Sequence, residues 1–288
     1  MKVALGTAQF GLPYGIANQS GQVSRPQAKC MLQFAQANGI DTIDTAMAYG
    51  DSESCLGEVG AQGFKLITKL PPVPENVEDL GTWVQQQMSA SLARMGVTSV
   101  YGLLLHRSEQ LLSPTGAELF QALQTLRENG QVQKVGVSIY SPCELSTLTS
   151  RYHFDLVQAP FNLVDQRLHT SGWMQRLNDD GVEIHTRSVF LQGLLLMSRG
   201  EIPAKFTKWN GLWQRWHSWL ADHNGCAVQA CLAFNLSFPN IDRVIVGADS
   251  LSQLAQIVSV ANSKSISVLP DLQCNDEGLI NPAHWPKL

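Results

Sequence analysis

Short apolar runs alternate with longer amphipathic stretches along the whole chain, and this alternation constrains the fold more than any other feature. A strand-like run followed by a helix-like stretch, repeated along a chain, predicts a parallel sheet with helical crossovers. There are eight such units, which is also the number that closes a barrel. The eight runs lie at residues 3–6, 40–44, 64–70, 100–106, 132–138, 154–160, 182–188 and 242–247.

The alternative is an open, doubly wound sheet. That fold often carries a G-x-G-x-x-G turn after its first strand when it binds a dinucleotide. Here the first strand runs into GTAQFGLPYG, in which the glycines are five and four residues apart. We therefore predict an α/β fold, a single (β/α)8 TIM barrel. No linker rich in Pro, Gly or Ser divides the chain, so we expect one domain over residues 1–288.

Local signals predict where individual helices begin and end. Ser24 followed by Pro26 is typical of a helix start, because a Ser side chain caps the first turn and Pro lacks an N–H that would go unpaired there anyway. Asn38-Gly39 is typical of a helix end. A second long helix is predicted over residues 75–95, ending at Gly96.

The stretch at residues 192–225, after the seventh strand, is longer than an ordinary connection and holds four of the seven tryptophans. Trp209, Trp213, Trp216 and Leu220 recur at the spacing of one helix face. Two interpretations stay open. The helix packs on the barrel wall, or part of this insertion borders the mouth of the active site.

Composition excludes several classes of function. Twenty Lys and Arg against 24 Asp and Glu leave a net charge of −4, whereas nucleic-acid binding proteins usually carry a basic excess. No apolar stretch reaches the ~18 residues of a membrane helix, and no signal peptide is recognisable. None of the six cysteines forms a C-x-x-C pair, and no two histidines stand one helical turn apart. We expect a cytoplasmic protein with reduced thiols, no metal, and neither nucleic acid nor membrane as partner.

Four polar residues follow three neighbouring strands. Asp44 ends the second strand, Tyr49 comes five residues later, Lys69 lies near the end of the third strand, and His106 ends the fourth. Active sites of such barrels lie at the carboxyl ends of the strands. We therefore expect these four side chains to meet at one mouth.

Their combined chemistry suits carbonyl reduction. A tyrosine phenol has a pKa of about 10 and is a poor acid at neutral pH, but a neighbouring ammonium ion stabilises its phenolate. A carboxylate keeps that ammonium in place and charged. A histidine beside the phenol can orient a carbonyl oxygen by a hydrogen bond. Such a set can protonate a carbonyl oxygen as hydride reaches the carbon.

The segments that hold these residues resemble those of the aldo-keto reductase family. IDTIDTAMAYGDSESCLGE resembles the family signature, KLITKL its lysine strand and YGLLLHR its histidine strand. GVSIYS, VQAPFNLVDQR, RSVFLQGLLL and VIVGADSLSQL resemble later segments of the family, in the same order. The matches run from Gly6 to about Gln256, which is most of the chain.

The resemblance implies a (β/α)8 barrel that binds NADP(H) or NAD(H) across its mouth and transfers hydride to or from the carbonyl of an aldehyde, ketone or sugar. Tyr49 would be the general acid/base, Lys69 the ammonium beside it, Asp44 the partner of Lys69, and His106 the residue that orients the carbonyl. The positions that match the family's cofactor contacts are Gly6, Thr7, Ala8, Asp44, Ser138, Gln158, Arg187, Ser188, Phe190, Gln192, Gly193, Gly247, Ser250, Gln253 and Gln256.

Two positions near the nicotinamide depart from the family pattern. Ile139 replaces an Asn that often follows Ser138, so one amide donor is missing. Arg187 replaces a Tyr that often stacks on the nicotinamide. Because a guanidinium group is planar and can stack on a ring, we expect Arg187 to lie against the nicotinamide.

The adenosine end departs as well. Residues 246–256 contain no Lys or Arg but do contain Asp249, whereas a 2′-phosphate favours a cationic partner. Arg243 and Lys264 are the nearby cations. We therefore expect NADP(H) as cofactor, with weaker discrimination against NAD(H) than in relatives with a basic loop.

A different class of function stays open, because some reductase-like channel subunits keep the fold and the cofactor without turnover. The complete set of four catalytic residues favours an enzyme. Phe10, Tyr14, Phe161 and the insertion could line the pocket, but aromatic walls suit both an apolar carbonyl and a sugar ring. The sequence predicts neither the substrate nor the oligomeric state.

Overall fold

The computed structural model describes residues 1–223, 225–263 and 269–287. Its eight strands form a closed barrel in which every strand is parallel to its neighbours and β1 pairs with β8. The predicted (β/α)8 barrel is confirmed, and each predicted run contains one strand. Strands β1–β8 span Val3–Gly6, Thr42–Asp44, Lys65–Leu70, Val100–Leu105, Val132–Ser138, Leu156–Pro160, Glu183–Arg187 and Arg243–Gly247.

Helices lie between the strands and around the barrel. Helices α1–α12 span Ala8–Gly11, Arg25–Ala37, Ser52–Val59, Leu80–Met95, Gly116–Glu128, Cys143–Thr149, Arg167–Thr170, Trp173–Asp179, Asn210–Asp222, Ala227–Leu236, Leu251–Ala261 and Glu277–Ile280. Short 3₁₀ helices span Ser108–Leu112, Leu191–Leu196, Ala204–Trp209 and Pro282–Lys287.

The predicted helix boundaries are right at three of four places. Helix α2 has Ser24 as its N-cap and Asn38 as its C-cap, although the Ser24 hydroxyl makes no cap hydrogen bond. Helix α4 ends at Gly96 in the left-handed conformation, as predicted. It begins at Leu80 rather than at residue 75, because the Asp79 carboxylate accepts a hydrogen bond from the backbone N–H of Thr82 and caps the helix there.

Two apolar cores hold the barrel together. Inside it, Ile67, Leu104 and Leu156 are fully buried in one cluster, and the partly buried Tyr101 packs against them. Outside it, the helices pack on the strands in one continuous apolar cluster. Since the side chains of the inner core fill the barrel, ligands have access only from its ends.

One part of the insertion after β7 packs on the barrel wall and another part borders the mouth, so each of the two interpretations holds for a different part. Trp213 and Trp216 are buried, and their indole N–H groups donate 3.0 Å hydrogen bonds to the carbonyl oxygens of Phe206 and Leu195. These tryptophans pack on the wall and do not reach the mouth. The first part of the insertion, at Gln192, Gly193 and Leu196, borders the mouth instead.

Two further findings concern membranes and metals. Within the described residues, no helix is long and apolar enough to cross a membrane. The same part of the chain contains no cluster of three or more His, Cys, Asp or Glu side chains that could hold a metal ion.

Candidate active site

A cleft of about 820 Å³ lies at the carboxyl ends of the strands. This volume falls within the usual range of small-molecule and cofactor sites. Sixteen of the candidate catalytic and cofactor-binding residues line it: Gly6, Thr7, Ala8, Asp44, Tyr49, His106, Ser138, Gln158, Arg187, Ser188, Phe190, Gln192, Gly193, Gly247, Gln253 and Gln256.

A buried ion pair forms the floor of this cleft. Strands β2 and β3 are neighbours in the barrel, which brings Lys69 Nζ to 2.6 Å from Asp44 Oδ1 and 2.8 Å from the carbonyl oxygen of Thr45. The Lys69 side chain is 1% exposed. Burial is the largest single effect and lowers the pKa of Lys69, but the Asp44 carboxylate and Tyr49 together outweigh it and the pKa is raised. Lys69 is therefore a charged ammonium at neutral pH.

Tyr49 lies directly above this ammonium. Lys69 Nζ is 5.0 Å from the centre of the Tyr49 ring. The turn that holds Tyr49 packs against the end of α1 at Gly11, where a Cβ atom would lie 1.7 Å from the carbonyl oxygen of Tyr49. Only glycine allows this approach, so the backbone of the turn is pressed against α1 and the position of Tyr49 is set by the fold.

His106 is the second ring at this end of the cleft. Its ring and that of Tyr49 meet edge to face, with centroids 6.0 Å apart and an interplanar angle of 81°. Burial, followed by the charges of Lys69 and Arg187, lowers the pKa of His106 to about 4. The imidazole is therefore neutral at physiological pH, with one nitrogen as a donor and the other as an acceptor.

Ser138 and Gln158 extend the polar floor across the barrel. They are paired in register on β5 and β6, and Ser138 Oγ donates a 3.3 Å hydrogen bond to Gln158 Oε1. Gln158 Nε2 donates a 2.6 Å hydrogen bond to Asp44 Oδ2. The Asp44 carboxylate thus connects the ammonium on β3 with the amide on β6.

Arg187 ends β7 beside this floor. Its guanidinium lies over the Tyr140 ring, 4.8 Å from the ring centre. Its Nη2 donates to the carbonyl oxygen of Ile139 at 3.0 Å and its Nη1 to Ser188 Oγ at 3.3 Å. Ile139 itself is buried away from the cleft, and Tyr140 lines the cleft in its place.

The loop after β7 has an unusual backbone. Ser188, Leu191 and Gln192 all have positive φ angles, of 64°, 47° and 53°. Such conformations are unfavourable for residues other than glycine and cluster at ligand clamps. The loop also contacts the segment after β1, because Gln192 Nε2 donates a 3.2 Å hydrogen bond to the Tyr14 hydroxyl. One side of the cleft is therefore bridged by two loops.

Comparison with known proteins identifies this site's family. A profile described as "Aldo/keto reductase family" matches residues 2–270. The chain belongs to the aldo/keto reductase family. It is 21% identical over 287 residues, 92% of each chain, to the uncharacterized oxidoreductase YqkF of Bacillus subtilis. It is 30% identical over 176 residues, 54% of this chain and 58% of the relative, to 6-dehydroglucose reductase of Agrobacterium fabrum.

The fold agrees with this assignment. The structure matches the holo form of aldo-keto reductase AKR11C1 from Bacillus halodurans with a TM-score of 0.73 at 18% identity, over 92% of this chain and 88% of that one. This match shows the fold, and the family profile with the two curated relatives makes this aldo/keto reductase an oxidoreductase.

The far end of the reductase's cleft is built by the loop after β8 and the start of α11. Gly247, Gln253 and Gln256 line it, but Ser250 does not. The Ser250 hydroxyl accepts a hydrogen bond from the backbone N–H of Gln253 and caps α11 instead. Asp249 lines the cleft there and accepts a 3.3 Å hydrogen bond from Asn18, and burial raises its pKa.

The sequence suggested two cations, Arg243 and Lys264, that could bind a 2′-phosphate at this end of the cleft. Arg243 lies at the amino end of β8, where Nη2 donates to Asp41 at 3.0 Å and Nε to Thr42 at 3.0 Å. It is therefore at the opposite end of the barrel and cannot reach the cleft. Lys264 lies outside the described residues.

Of the three aromatic residues that the sequence analysis proposed for the pocket, one lines the cleft and two do not. Tyr14 lines the cleft, whereas Phe10 and Phe161 are fully buried and do not. Phe161 packs against Phe234 and Phe238 instead. Sequence reasoning missed Tyr140, although it stands two residues beyond Ser138 and so follows the alternation of a strand. It also missed several lining residues for which no sequence signal exists, among them Cys226, Pro282 and Ala283.

Proposed function

We propose that this protein transfers a hydride between NADP(H) and the carbonyl of an aldehyde, ketone or sugar, with Tyr49 as the general acid/base. The observation that carries the proposal is the buried Lys69 ammonium, which is paired to Asp44 and lies 5.0 Å from the Tyr49 ring. Burying an ion pair removes two charges from water at a cost of several kcal/mol per ion, which the mutual attraction of the charges and further hydrogen bonds must offset. Such a pair at the floor of an open cleft indicates a role in chemistry.

The side chains divide the work at the carbonyl oxygen. Tyr49 donates its proton to that oxygen, and the fixed ammonium of Lys69 stabilises the phenolate that remains. His106 is neutral, because its pKa is about 4, and it donates a hydrogen bond that orients the oxygen toward the phenol. In the reverse direction, the phenolate accepts the proton of an alcohol.

The residues of the cleft suit a nicotinamide dinucleotide. When bound, that cofactor supplies or accepts the hydride. Ser138 and Gln158 present a hydroxyl and an amide to a carboxamide group. The loop with positive φ angles at Ser188, Leu191 and Gln192 suits a ligand clamp at the pyrophosphate. We expect the guanidinium face of Arg187 that does not contact Tyr140 to stack on the nicotinamide ring. A cofactor-bound structure with the guanidinium turned to solvent would reject this assignment.

An activity screen tests the proposal. The purified protein is mixed with NADPH or NADH and with a panel of aliphatic aldehydes, aromatic aldehydes and sugars, and cofactor oxidation is followed by absorbance. Cofactor binding is measured separately by fluorescence. We expect both binding and turnover. Binding without turnover on any substrate would instead favour a regulatory subunit that retains the fold, and loss of both would reject the proposal.

A further inference from the structure

No carboxylate among the described residues lies within 4.0 Å of the Arg187 guanidinium. Arg187 is the one Lys or Arg side chain that lines the cleft within residues 1–223, 225–263 and 269–287. Its two hydrogen bonds go to neutral oxygen atoms, those of Ile139 and Ser188. A half-buried guanidinium without a counter-ion is unfavourable unless an anion reaches it.

The same protein pairs its other half-buried arginines. Arg167 donates to Asp165 at 2.8 and 2.9 Å and to Glu277 at 3.0 Å. Arg94 donates to the buried Glu53 carboxylate at 2.6 and 2.9 Å. Arg187 therefore differs from these arginines, because it lines the cleft without a carboxylate partner in the described part of the chain.

The guanidinium is also held in place before any ligand binds. It lies on the Tyr140 ring, and Tyr140 is fixed by its own backbone. The Tyr140 N–H donates to Glu144 at 2.8 Å, and its carbonyl oxygen accepts from Arg167 at 3.0 Å. Two of the five N–H groups of Arg187 are used in the hydrogen bonds above, which leaves three for a ligand. A fixed donor loses little entropy when it binds.

The position of this charge relates it to the reacting carbonyl. The charge of Arg187 helps to lower the pKa of His106 and opposes the rise in the pKa of Tyr14 that burial causes. Arg187 therefore lies near both rings, at the catalytic end of the cleft. The charged groups that face this end are the paired Lys69 and Asp44 and, outside the cleft lining, Arg107. The remaining carboxylate of the cleft lining, Asp249, belongs to the loop after β8.

We propose that Arg187 binds an anionic group of the substrate, so that the preferred substrates are small aldehydes or ketones that carry a carboxylate or phosphate near the carbonyl. A guanidinium group binds either anion through two parallel hydrogen bonds. The edge of Arg187 takes the anion and leaves its free face for the nicotinamide ring. This inference rests on the proposed function, because it assumes that the carbonyl lies against Tyr49 and His106.

Matched substrate pairs test the inference. The pairs are 4-oxobutanoate with its methyl ester, and glyceraldehyde 3-phosphate with glyceraldehyde. The measured quantity is the ratio of kcat/KM for the anionic member to that for the neutral member. We expect a ratio above ~10 in at least one pair for the wild type, a fall of at least ~10-fold in Arg187→Met, and partial retention in Arg187→Lys, since an ammonium ion replaces only part of the charge-assisted hydrogen bonding of a guanidinium group.

Binding without turnover provides a second readout. Succinate is titrated into the protein by calorimetry with butanamide as the neutral probe. We expect succinate alone to bind, more weakly as salt is raised and more weakly in Arg187→Met. Arg215→Met is the matched control, because Arg215 is exposed on α9 and, among the described residues, bonds only to the carbonyl oxygen of Gly211. Thermal melts establish that each variant is folded, and Arg187→Gln replaces Arg187→Met if the latter is not.

The outcomes separate the inference from the proposed function. A wild type that reduces both members of every pair equally overturns the inference and leaves the function intact. An unchanged substrate ratio in Arg187→Met also overturns it, and a fall in cofactor affinity beside that unchanged ratio would assign Arg187 to the cofactor alone. Absence of reduction on every substrate, with no binding of NADPH or NADH, overturns the proposed function itself.

Discussion

Lys69 Nζ donates a 2.6 Å hydrogen bond to Asp44 Oδ1, and both side chains are buried at the floor of the cleft. The second oxygen of the same carboxylate accepts from Gln158 across the barrel. One carboxylate thus fixes the ammonium below Tyr49 and an amide on the opposite strand. Loss of either partner of the ion pair leaves a charge without compensation in a buried place.

The first prediction concerns the stability of this pair. Lys69→Met should lower the free energy of unfolding by ~3–5 kcal/mol, because the Asp44 carboxylate stays buried and unpaired. Lys65→Met is the control, since Lys65 makes an exposed 3.4 Å ion pair with Asp41, and exposed pairs contribute ~0–1 kcal/mol. Urea denaturation measures both. Equal losses in the two variants would contradict the importance given to the buried pair.

The second prediction concerns the proton donor. Tyr49→Phe should bind the cofactor as the wild type does and lose at least ~10²-fold in kcat for carbonyl reduction, because a positioned general acid contributes ~10²–10⁴-fold. Tyr152→Phe is the control, because its hydroxyl donates to the carbonyl oxygen of Leu111, and Tyr152 does not line the cleft. Steady-state kinetics decide the matter, and a near-wild-type rate for Tyr49→Phe would rule out the assignment.

The third prediction follows from the low pKa of His106. The native protein keeps this imidazole neutral down to a pKa of about 4, whereas the unfolded chain binds a proton below about 6.5. The unfolded state therefore holds the extra proton between these values, and the free energy of unfolding falls as the pH falls, by up to ~1.4 kcal/mol per pH unit.

His106→Gln should lose this contribution. Urea denaturation from pH 4 to 7 should show a smaller dependence on pH in the variant than in the wild type. The pH profile of kcat/KM should contain no ionisation of His106 near pH 6.5. Any ionisation seen there in the wild type should therefore persist in His106→Gln. Identical stability slopes in the two proteins would mean that His106 is not held neutral by the fold.

The fourth prediction concerns cofactor preference. We expect NADPH to be preferred over NADH, but by less than ~10³-fold in kcat/KM, or ~4 kcal/mol. Asp249→Asn should raise this preference several-fold, because a carboxylate in the cleft lining repels a 2′-phosphate. The exposed Asp222→Asn serves as the control. A preference beyond ~10³-fold would show that another cation binds the phosphate, and a clear preference for NADH would contradict the choice of cofactor.

The fifth prediction concerns the contact between the loops after β1 and β7. Gly193 has a φ of 89°, and a Cβ atom there would lie 2.5 Å from the Cβ of Ala17. Gly193→Ala should therefore displace the loop and weaken dinucleotide binding at least several-fold. Gly181→Ala is the matched control, because it has a φ of 71° but open space around it. It should lose ~1 kcal/mol of stability from strain and bind the dinucleotide normally.

The sequence was sufficient for the order and number of the strands and for the four residues at their ends. Apolar runs of strand length alternate with amphipathic stretches, and parallel strands place their carboxyl ends together. For this reason the sequence alone places Asp44, Lys69 and His106 at one mouth. The start of α4 was missed, because residues 75–79 have helix-like composition but Asp79 caps the helix four residues later.

Only the tertiary structure decided what each residue contacts. Phe10 and Tyr14 are both aromatic and close in sequence, yet Phe10 is fully buried and Tyr14 faces the cleft. Arg243 turned out to lie at the opposite end of the barrel from the cleft. Pro282 and Ala283 reach the cleft from a segment without a recognisable motif. The spacing of residues along one element is a local property, whereas the surroundings of a side chain depend on elements far apart in the chain, which only packing brings together.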